Sequence, residues 1–318
     1  MLFRSISPQN DIISQMGQDI PIPSNISLPK QWERYAFFTI TLDKPNYRLY
    51  FGQKGPNKIA SVRGRFPFKA TVDAIRNGSE FYQLINSLNI TGGGVRDLDI
   101  QGNSVLNIPS NELNFTDKKK VTAPAVRGDE IFVAVSVANQ SGYMIPTDVK
   151  SIASGKSLNL NALPGSDQQV VGLLKKTDEF KSGNDRMSAA LVKGQGEAAP
   201  KVLPLIADPS IMGQNEIAFP SVSTIDGVNK IATYSVISST VEMQQGPAKV
   251  KLTNPEWEVY APSWVQTLKL PSWPNDKPRD GKKRWDVSFI GSQTTSQPVL
   301  GPAMIEAATH VTHSSVAY

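Results

Sequence analysis

The chain has 318 residues, of which 39% are apolar and 19% charged, and its 33 basic and 28 acidic side chains give a formal net charge of +5. This length predicts two domains or one large all-β unit. The absence of cysteine excludes disulfides, Cys-ligated zinc, iron–sulfur clusters and thiol nucleophiles. The basic excess is too small to predict sequence-specific nucleic-acid binding.

The two histidines, His310 and His313, lie within nine residues of the C-terminus. A Ser-His-Asp triad or a His-rich metal site would have to recruit this segment. The spacing His-x-x-His binds a metal only if the segment is helical, and the flanking Ser and Thr residues instead indicate a soluble tail. We therefore expect no enzyme, no catalytic residue, no metal and no cofactor.

Residues 1–30 are predicted to form an N-terminal arm. Prolines interrupt a stretch rich in isoleucine, and Gln9–Met16 has the spacing of a short helix. Such an apolar arm is expected to pack on a neighbouring subunit or on a membrane surface. No 7–15-residue apolar stretch of a secretory signal follows Met1, so synthesis in a cytoplasm is expected.

Period-two alternation predicts strands in the first half of the chain. The candidates are Ala36–Leu42, Tyr47–Phe51, Lys58–Val62, Arg96–Ile100, Val105–Ile108 and Glu130–Ala138. The last of these carries apolar residues at both parities, which predicts a central strand covered on both sides.

Helical spacing interrupts this pattern at Thr71–Leu88. The glycines of Thr91–Val95 are predicted to form the turn that ends this helical region. They lack the spacing of a phosphate-binding loop, and they follow a helix instead of opening one.

Ser151–Gln169 is rich in turn-forming residues and is the predicted domain boundary, with a turn at Leu163–Asp167. Strands are predicted beyond it at Val170–Leu174, Ala189–Val192, Lys201–Ile206, Lys230–Met243, Ala248–Leu252 and Trp285–Phe289. Pro255–Pro278 contains five prolines and three tryptophans and is predicted to be a long ordered loop.

Several short motifs have simpler explanations than chemistry. Arg127-Gly128-Asp129 precedes a strong strand and is predicted to be a turn. Asp97 and Asp99 share a strand face, but a glycosidase needs carboxylates that converge across a cleft. Asn-x-Ser/Thr sequences matter only in a secretory pathway, and they begin at Asn25, Asn77, Asn89, Asn114 and Asn139.

Two basic clusters could contact phosphate groups of nucleic acid or lipid, namely Lys118–Lys120 and Lys277–Arg284. A solvated loop is the simpler interpretation of each cluster. Four of the five tryptophans are concentrated in one part of the sequence: Trp257, Trp264, Trp273 and Trp285. They form either a sugar-stacking platform or a buried cluster, and their interleaving with proline favours burial.

These features favour an all-β protein with two β-sandwiches. The order of an apolar arm, two β-rich halves, a helical insertion at Thr71–Leu88 and proline-rich loops, without cysteine, resembles the double jelly-roll major capsid protein of tailless, icosahedral, lipid-containing bacteriophages of the corticovirus and finnlakevirus type. The resemblance implies an arm at 1–30, a first jelly roll at 31–160 and a second at 161–318.

The same resemblance implies a structural protein of the virion. Its partners would be itself, as a homotrimer and then a capsid lattice, together with minor capsid or vertex proteins and a membrane reached by the arm. Two alternatives stay open. A carbohydrate-binding adhesin or lectin module would use the loop between Trp257 and Trp285, and a carbohydrate-active enzyme would need two converging carboxylates.

Overall fold

The computed structural model describes residues 55–65, 89–100, 114–140, 143–177, 186–194, 196–213, 215–219, 221–245, 248–270, 282–301 and 303–317. Within these ranges the protein is all-β, with one short helix, as the alternation predicted. No helix in this part of the chain is long and apolar enough to cross a membrane.

Fifteen strands and one short helix occur within the described ranges. Their bounds are β1 Gly55–Arg65, β2 Asn89–Ile100, β3 Asp117–Thr122, β4 Glu130–Gln140, β5 Tyr143–Ile152, β6 Ser157–Ala162, β7 Asp167–Lys176, β8 Met187–Val192, β9 Ser210–Gly213, β10 Glu216–Ala218, β11 Asn229–Gln245, β12 Ala248–Ala261, β13 Thr267–Lys269, β14 Lys282–Ser292 and β15 His310–Ala317, and the helix α1 is Ala303–Ala307.

Eight of these strands form one antiparallel sheet in the order β12-β11-β14-β15-β8-β7-β4-β5. One row of residues in register crosses all eight strands, and every member is buried. The row consists of Ile152, Phe132, Leu174, Ser188, Thr312, Phe289, Thr233 and Ala261. Because directly paired residues share a face, this row defines a continuous inner face of the sheet.

Two small sheets cover the ends of the inner face. The pair β3-β6 places Val121 and Leu160 against Phe132 on β4. The sheet β13-β10-β9 places Ile217 against Trp285 on β14, in a second apolar cluster. The result is a β-sandwich with one long layer and two short ones.

The middle of the inner face is covered by an irregular segment, residues 197–208. Ala198 exchanges backbone hydrogen bonds with β3, and the Pro204 carbonyl accepts a hydrogen bond from the Thr312 hydroxyl at 3.0 Å. Leu203 is fully buried. The predicted strand Lys201–Ile206 is therefore wrong: Leu203 and Ile206 are buried, but Pro204 has no N–H to donate to a ladder, and the segment lies on the sheet instead of in it.

Strand β4 is central, between β5 and β7, as predicted. Phe132 and Ala134 are buried on the inner face, and Val133 is buried on the other, while Val135 is only half-buried. Both faces are therefore covered near the start of the strand.

Two consecutive jelly rolls are not confirmed, because the eight-stranded sheet joins strands from both predicted halves. Strand β7, beyond residue 161, pairs along its whole length with β4, which precedes residue 160. The division into residues 31–160 and 161–318 stays a prediction. It separates two strands, β4 and β7, that pair with each other in one sheet.

Two further predictions are corrected. The glycines of Thr91–Val95 lie inside β2, paired with β1, and do not form a turn. The predicted loop Pro255–Pro278 contains the end of β12 and all of β13. Pro255 is tolerated in a strand because β12 is an edge strand and the register shifts beside it.

Other predictions fall outside the described residues. These are the arm at 1–30 with its helix at Gln9–Met16, the strands Ala36–Leu42, Tyr47–Phe51 and Val105–Ile108, and the helical region up to Leu88.

Candidate functional site

A cleft of about 610 Å³ lies at the end of the sandwich where β3 meets the turns that follow β6 and β8. We call it the Lys119 cleft. It is lined by Asp117, Lys118, Lys119, Lys120, Ala162, Leu163, Gly165, Ser166, Asp167, Gln168 and Gly196.

The alternation of β3 separates its three lysines. Lys119 has the same parity as the buried Val121 and points toward the large sheet, whereas Lys118 and Lys120 lie on the exposed face. On that face the Lys118 ammonium donates a hydrogen bond to the Asn161 side-chain oxygen, and the Lys120 ammonium forms an ion pair with Glu197 at 2.9 Å.

Lys119 is only 6% exposed, and its Nζ donates a hydrogen bond to the Gly194 carbonyl at 2.6 Å. Burial lowers the pKa of this ammonium, and the negative charge of Asp167 opposes the change. Gly194 has a φ of 105°, so the turn that presents this carbonyl requires glycine. The cleft therefore contains a buried cation that is bonded to a neutral oxygen.

A buried polar network holds the wall of the cleft. The Gln168 amide donates hydrogen bonds to Ser136 Oγ at 2.6 Å and to Thr147 Oγ1 at 3.0 Å. Its carbonyl oxygen accepts a hydrogen bond from the Leu163 N–H at 3.3 Å. Because β4, β5 and β7 all contribute, the turn after β6 is fixed to the sheet.

A second concave site lies on the face of the large sheet opposite the inner face. We call it the Tyr234 groove; its cavity volume is about 350 Å³ and its walls are mostly apolar. It is lined by Tyr234, Val236, Ser238, Pro255, Asp286, Ser288 and His313.

Three polar side chains form a row along one side of the Tyr234 groove. Ser288 Oγ and His313 Nδ1 share a hydrogen bond of 3.0 Å, and His313 Nε2 lies 3.5 Å from Asp286 Oδ1. Arg284 Nε donates to the same oxygen at 2.8 Å. Burial of Asp286 disfavours its charge, but the hydrogen bonds from His313 and Arg284 outweigh burial and lower its pKa.

This Ser-His-Asp row does recruit the C-terminal histidine, which the sequence reasoning disfavoured. Acyl transfer also requires donors for an oxyanion. Strand β14, which carries Ser288, is paired on both sides, with β11 and with β15, so its backbone donors are committed to the ladders. The row is therefore better suited to holding a ligand than to cleaving one.

The two histidines do not form a metal site. In a strand, residues three apart point to opposite faces, so His310 lies on the inner face and His313 in the Tyr234 groove. His310 is buried, and burial lowers its pKa, while a hydrogen bond with the Lys201 backbone opposes this change. No group of three His, Asp or Glu side chains that could hold a metal occurs within the described ranges.

The three tryptophans that the structure describes are buried or half-buried, as the proline pattern favoured. Trp285 is fully buried and donates to Ser235 Oγ at 2.6 Å. Trp264 donates to the Ile290 carbonyl at 2.8 Å, and Trp257 packs on the same cluster as Trp285. Trp273 lies outside the described residues.

The remaining motifs are structural where they are described. Arg127-Gly128-Asp129 forms the predicted turn, closed by a hydrogen bond from the Glu130 N–H to the Arg127 carbonyl at 3.0 Å. Asp97 pairs in register with Lys58, and Asp99 with Pro56. Of the basic cluster Lys277–Arg284, only 282–284 are described, at the start of β14.

Lys118–Lys120 is one of the two basic clusters that could contact phosphate groups, and of its three lysines only Lys119 reaches the interior. Ser166, Gln168 and Gly196 were missed. Nothing local to them distinguishes a cleft residue from a turn residue, because their positions depend on pairing between distant strands.

No family model matches the chain, and no curated protein matches it. Among solved structures, a DUF3823 family protein from Bacteroides ovatus matches with 15% identity and a TM-score of 0.22, over 63% of this chain and 98% of that chain. A likeness of this degree assigns no function.

The interpretation as a phage major capsid protein is wrong on these findings. No capsid family is matched, and the solved structure that matches comes from a bacterial DUF3823 protein. The carbohydrate-binding alternative gains no support either. The homotrimer, the vertex proteins and the virion location were implied by the capsid resemblance, whereas the membrane contact was also predicted from the apolar composition of the arm. All of them stay predictions.

Proposed function

We propose that the protein binds a small anionic compound, one that carries a carboxylate or phosphate group, in the Lys119 cleft without transforming it. The observation that carries this proposal is the buried Lys119 ammonium, which lines the cleft and donates its described hydrogen bond to a neutral carbonyl. An ammonium has three donors, so two remain for a ligand.

The charges around the cleft support an anion over a cation. Lys120 is paired with Glu197, but Lys118 and Lys119 donate to neutral oxygens. The two acids of the lining, Asp117 and Asp167, accept hydrogen bonds from the neutral Thr116 and Gln169 and keep their charges, so the three lysines exceed the acids of the lining by one positive charge. A buried charge without a contacting countercharge is costly, and a bound anion would remove that cost.

The shape of the cleft also suits a small molecule. Its volume of about 610 Å³ lies within the usual range of small-molecule sites, roughly 300–1,000 Å³. Gly165 and Gly196 line it with φ values of 69° and 89°, and an added Cβ at either position would meet open space. Backbone without side chains lets a ligand approach the turns closely.

The experiment measures binding of inorganic phosphate and of acetate by calorimetry and by NMR titration. Lys119→Met is expected to weaken binding about 10- to 100-fold, since a hydrogen bond to a charged group contributes about 1.5–3 kcal/mol. The matched control is Lys156→Met, which removes the same charge at an exposed position that does not line the cleft.

A second readout separates a binding lysine from a structural one. Without ligand, Lys119→Met is expected to raise stability, because a buried cation is replaced by an apolar side chain of similar length. Phosphate is expected to stabilise the wild type and the Lys156 variant but not the Lys119 variant. Equal phosphate binding by all three proteins would contradict the proposal.

A further inference from the structure

The pairing of residues across the strands of the Tyr234 groove indicates a second ligand site, one that favours cations instead of anions. Val236 on β11 is paired with Glu258 on β12 and with Asp286 on β14. Neighbouring strands lie about 4.8 Å apart, so the two acidic residues flank Val236 at a backbone separation of roughly 10 Å. The apolar Val236 is therefore flanked by two acids that already have partners: the Glu258 carboxylate accepts from the Tyr260 hydroxyl at 3.3 Å, and the Asp286 carboxylate accepts from Arg284.

An aromatic side chain adjoins Val236 in the groove. Tyr234, two residues earlier on β11, stacks on Tyr260 with ring centroids 4.9 Å apart and an angle of 36° between the rings. Burial, together with the nearby Glu258, raises the pKa of Tyr234 to about 12, so the phenol stays neutral at physiological pH. A neutral, electron-rich ring attracts cations to its face.

The hydrogen bonds that Asp286 already accepts indicate which type of cation the groove can bind. Its Oδ1 already accepts from Arg284 at 2.8 Å and lies 3.5 Å from His313. Because Arg284 already pairs with Asp286, only part of the carboxylate's charge is left to attract a cation, and Oδ1 has little capacity left to accept hydrogen bonds from it. A primary ammonium would lose hydrogen bonds to water in the mostly apolar groove, whereas a fully alkylated ammonium has none to lose.

We propose that the Tyr234 groove binds a quaternary ammonium group, seated over Val236 between Glu258 and Asp286 and against the ring of Tyr234. The alkyl surface of such a cation matches the apolar walls, and its diffuse charge matches the ring and the two acids. This site is independent of the Lys119 cleft, which lies on a different sheet and favours anions.

The first test needs no variant. Choline and its uncharged carbon isostere, 3,3-dimethyl-1-butanol, are titrated separately into the wild-type protein and followed by NMR. We expect choline to bind more tightly than the isostere, and ethanolamine to bind more weakly than choline. Equal binding of choline and the isostere would show an apolar groove without cation recognition, and no binding of choline would overturn the proposal outright.

The second test changes the two groups that recognise the charge. Tyr234→Leu is expected to weaken choline binding about 2- to 30-fold, the range of cation–π contributions, while Tyr234→Phe keeps the ring and is expected to keep binding. Glu258→Gln, at an exposed position, is expected to weaken it about 2- to 5-fold. Glu306→Gln, at an exposed position of α1, is the control. If Tyr234→Leu and Tyr234→Phe bind choline with equal affinity, the aromatic ring does not contribute to binding, and this part of the proposal is wrong.

Discussion

Replacing Gly172 by alanine tests whether residues 197–208 really cover the middle of the inner face. Gly172 lies within β7, and a Cβ added there would be 2.7 Å from Pro200 Cβ and 2.8 Å from two ring carbons of Phe132. Carbon atoms in ordinary contact are about 3.5–4.0 Å apart, so the added Cβ would be roughly 1 Å too close to its neighbours on two sides. Phe132 is 1% exposed and has little room to move.

The expected cost follows from two opposing terms. Overpacking a close-packed core costs about 1–3 kcal/mol, whereas replacing glycine restricts the unfolded chain and returns about 0.4–1 kcal/mol. We therefore expect Gly172→Ala to lower the free energy of unfolding by about 1–2 kcal/mol. Gly213→Ala, also in a strand but with nothing within 4 Å of the added Cβ, is the control and is expected to be neutral or slightly stabilising.

Urea denaturation followed by the fluorescence of the tryptophans, among them the buried Trp285, measures these changes. Phe132→Leu is added because it removes the ring carbons that clash. We expect the double variant to be less destabilised than the sum of the single variants, with a coupling of about 0.5–3 kcal/mol. A Gly172→Ala protein within about 0.5 kcal/mol of the wild type would show that the segment does not lie on this strand.

Two further predictions concern polar groups. The lowered pKa of Asp286 means that its ionised form adds stability above the ordinary value of 3.8, and that this contribution is lost as the pH falls through the lower value in the folded protein. Asp286→Asn should therefore be less stable than the wild type at pH 7 and lose less stability on acidification to pH 2, as measured by urea denaturation. Thr312→Val should cost about 1–3 kcal/mol in the same assay, because it leaves the Pro204 carbonyl without its hydroxyl donor, and Thr312→Ser should recover most of that loss.

Local patterns were sufficient to identify several strands and turns. The alternation of apolar residues predicted β4, β11 and β14 within a few residues of their observed bounds, and the turn residues of Leu163–Asp167 form a turn in which Ser166 N–H bonds to the Leu163 carbonyl. Each of these features depends on side chains close together in sequence, which is the information that periodicity contains.

The order of the strands in the sheet was not accessible in the same way. Strand β15 lies between β14 and β8, although more than a hundred residues separate it from β8. That pairing places His313 beside Ser288 and Asp286. The polar sequence HVTHSSVA predicts a soluble tail, yet Thr312, Ser314 and Ser315 are almost fully buried.

The buried polar side chains in the middle of the inner face account for the irregular backbone of the segment that covers them. The middle of the inner face carries Ser188, His310 and Thr312, which need hydrogen-bond partners once they are removed from water. A covering strand would have its carbonyls engaged in its own ladder, whereas residues 197–208 offer free ones: Pro204 accepts from Thr312, and the Lys201 backbone bonds to His310. The apolar residues of Lys201–Ile206 thus record burial on a sheet at Leu203 and Ile206, and Pro204 is the local signal that this segment is not itself a strand.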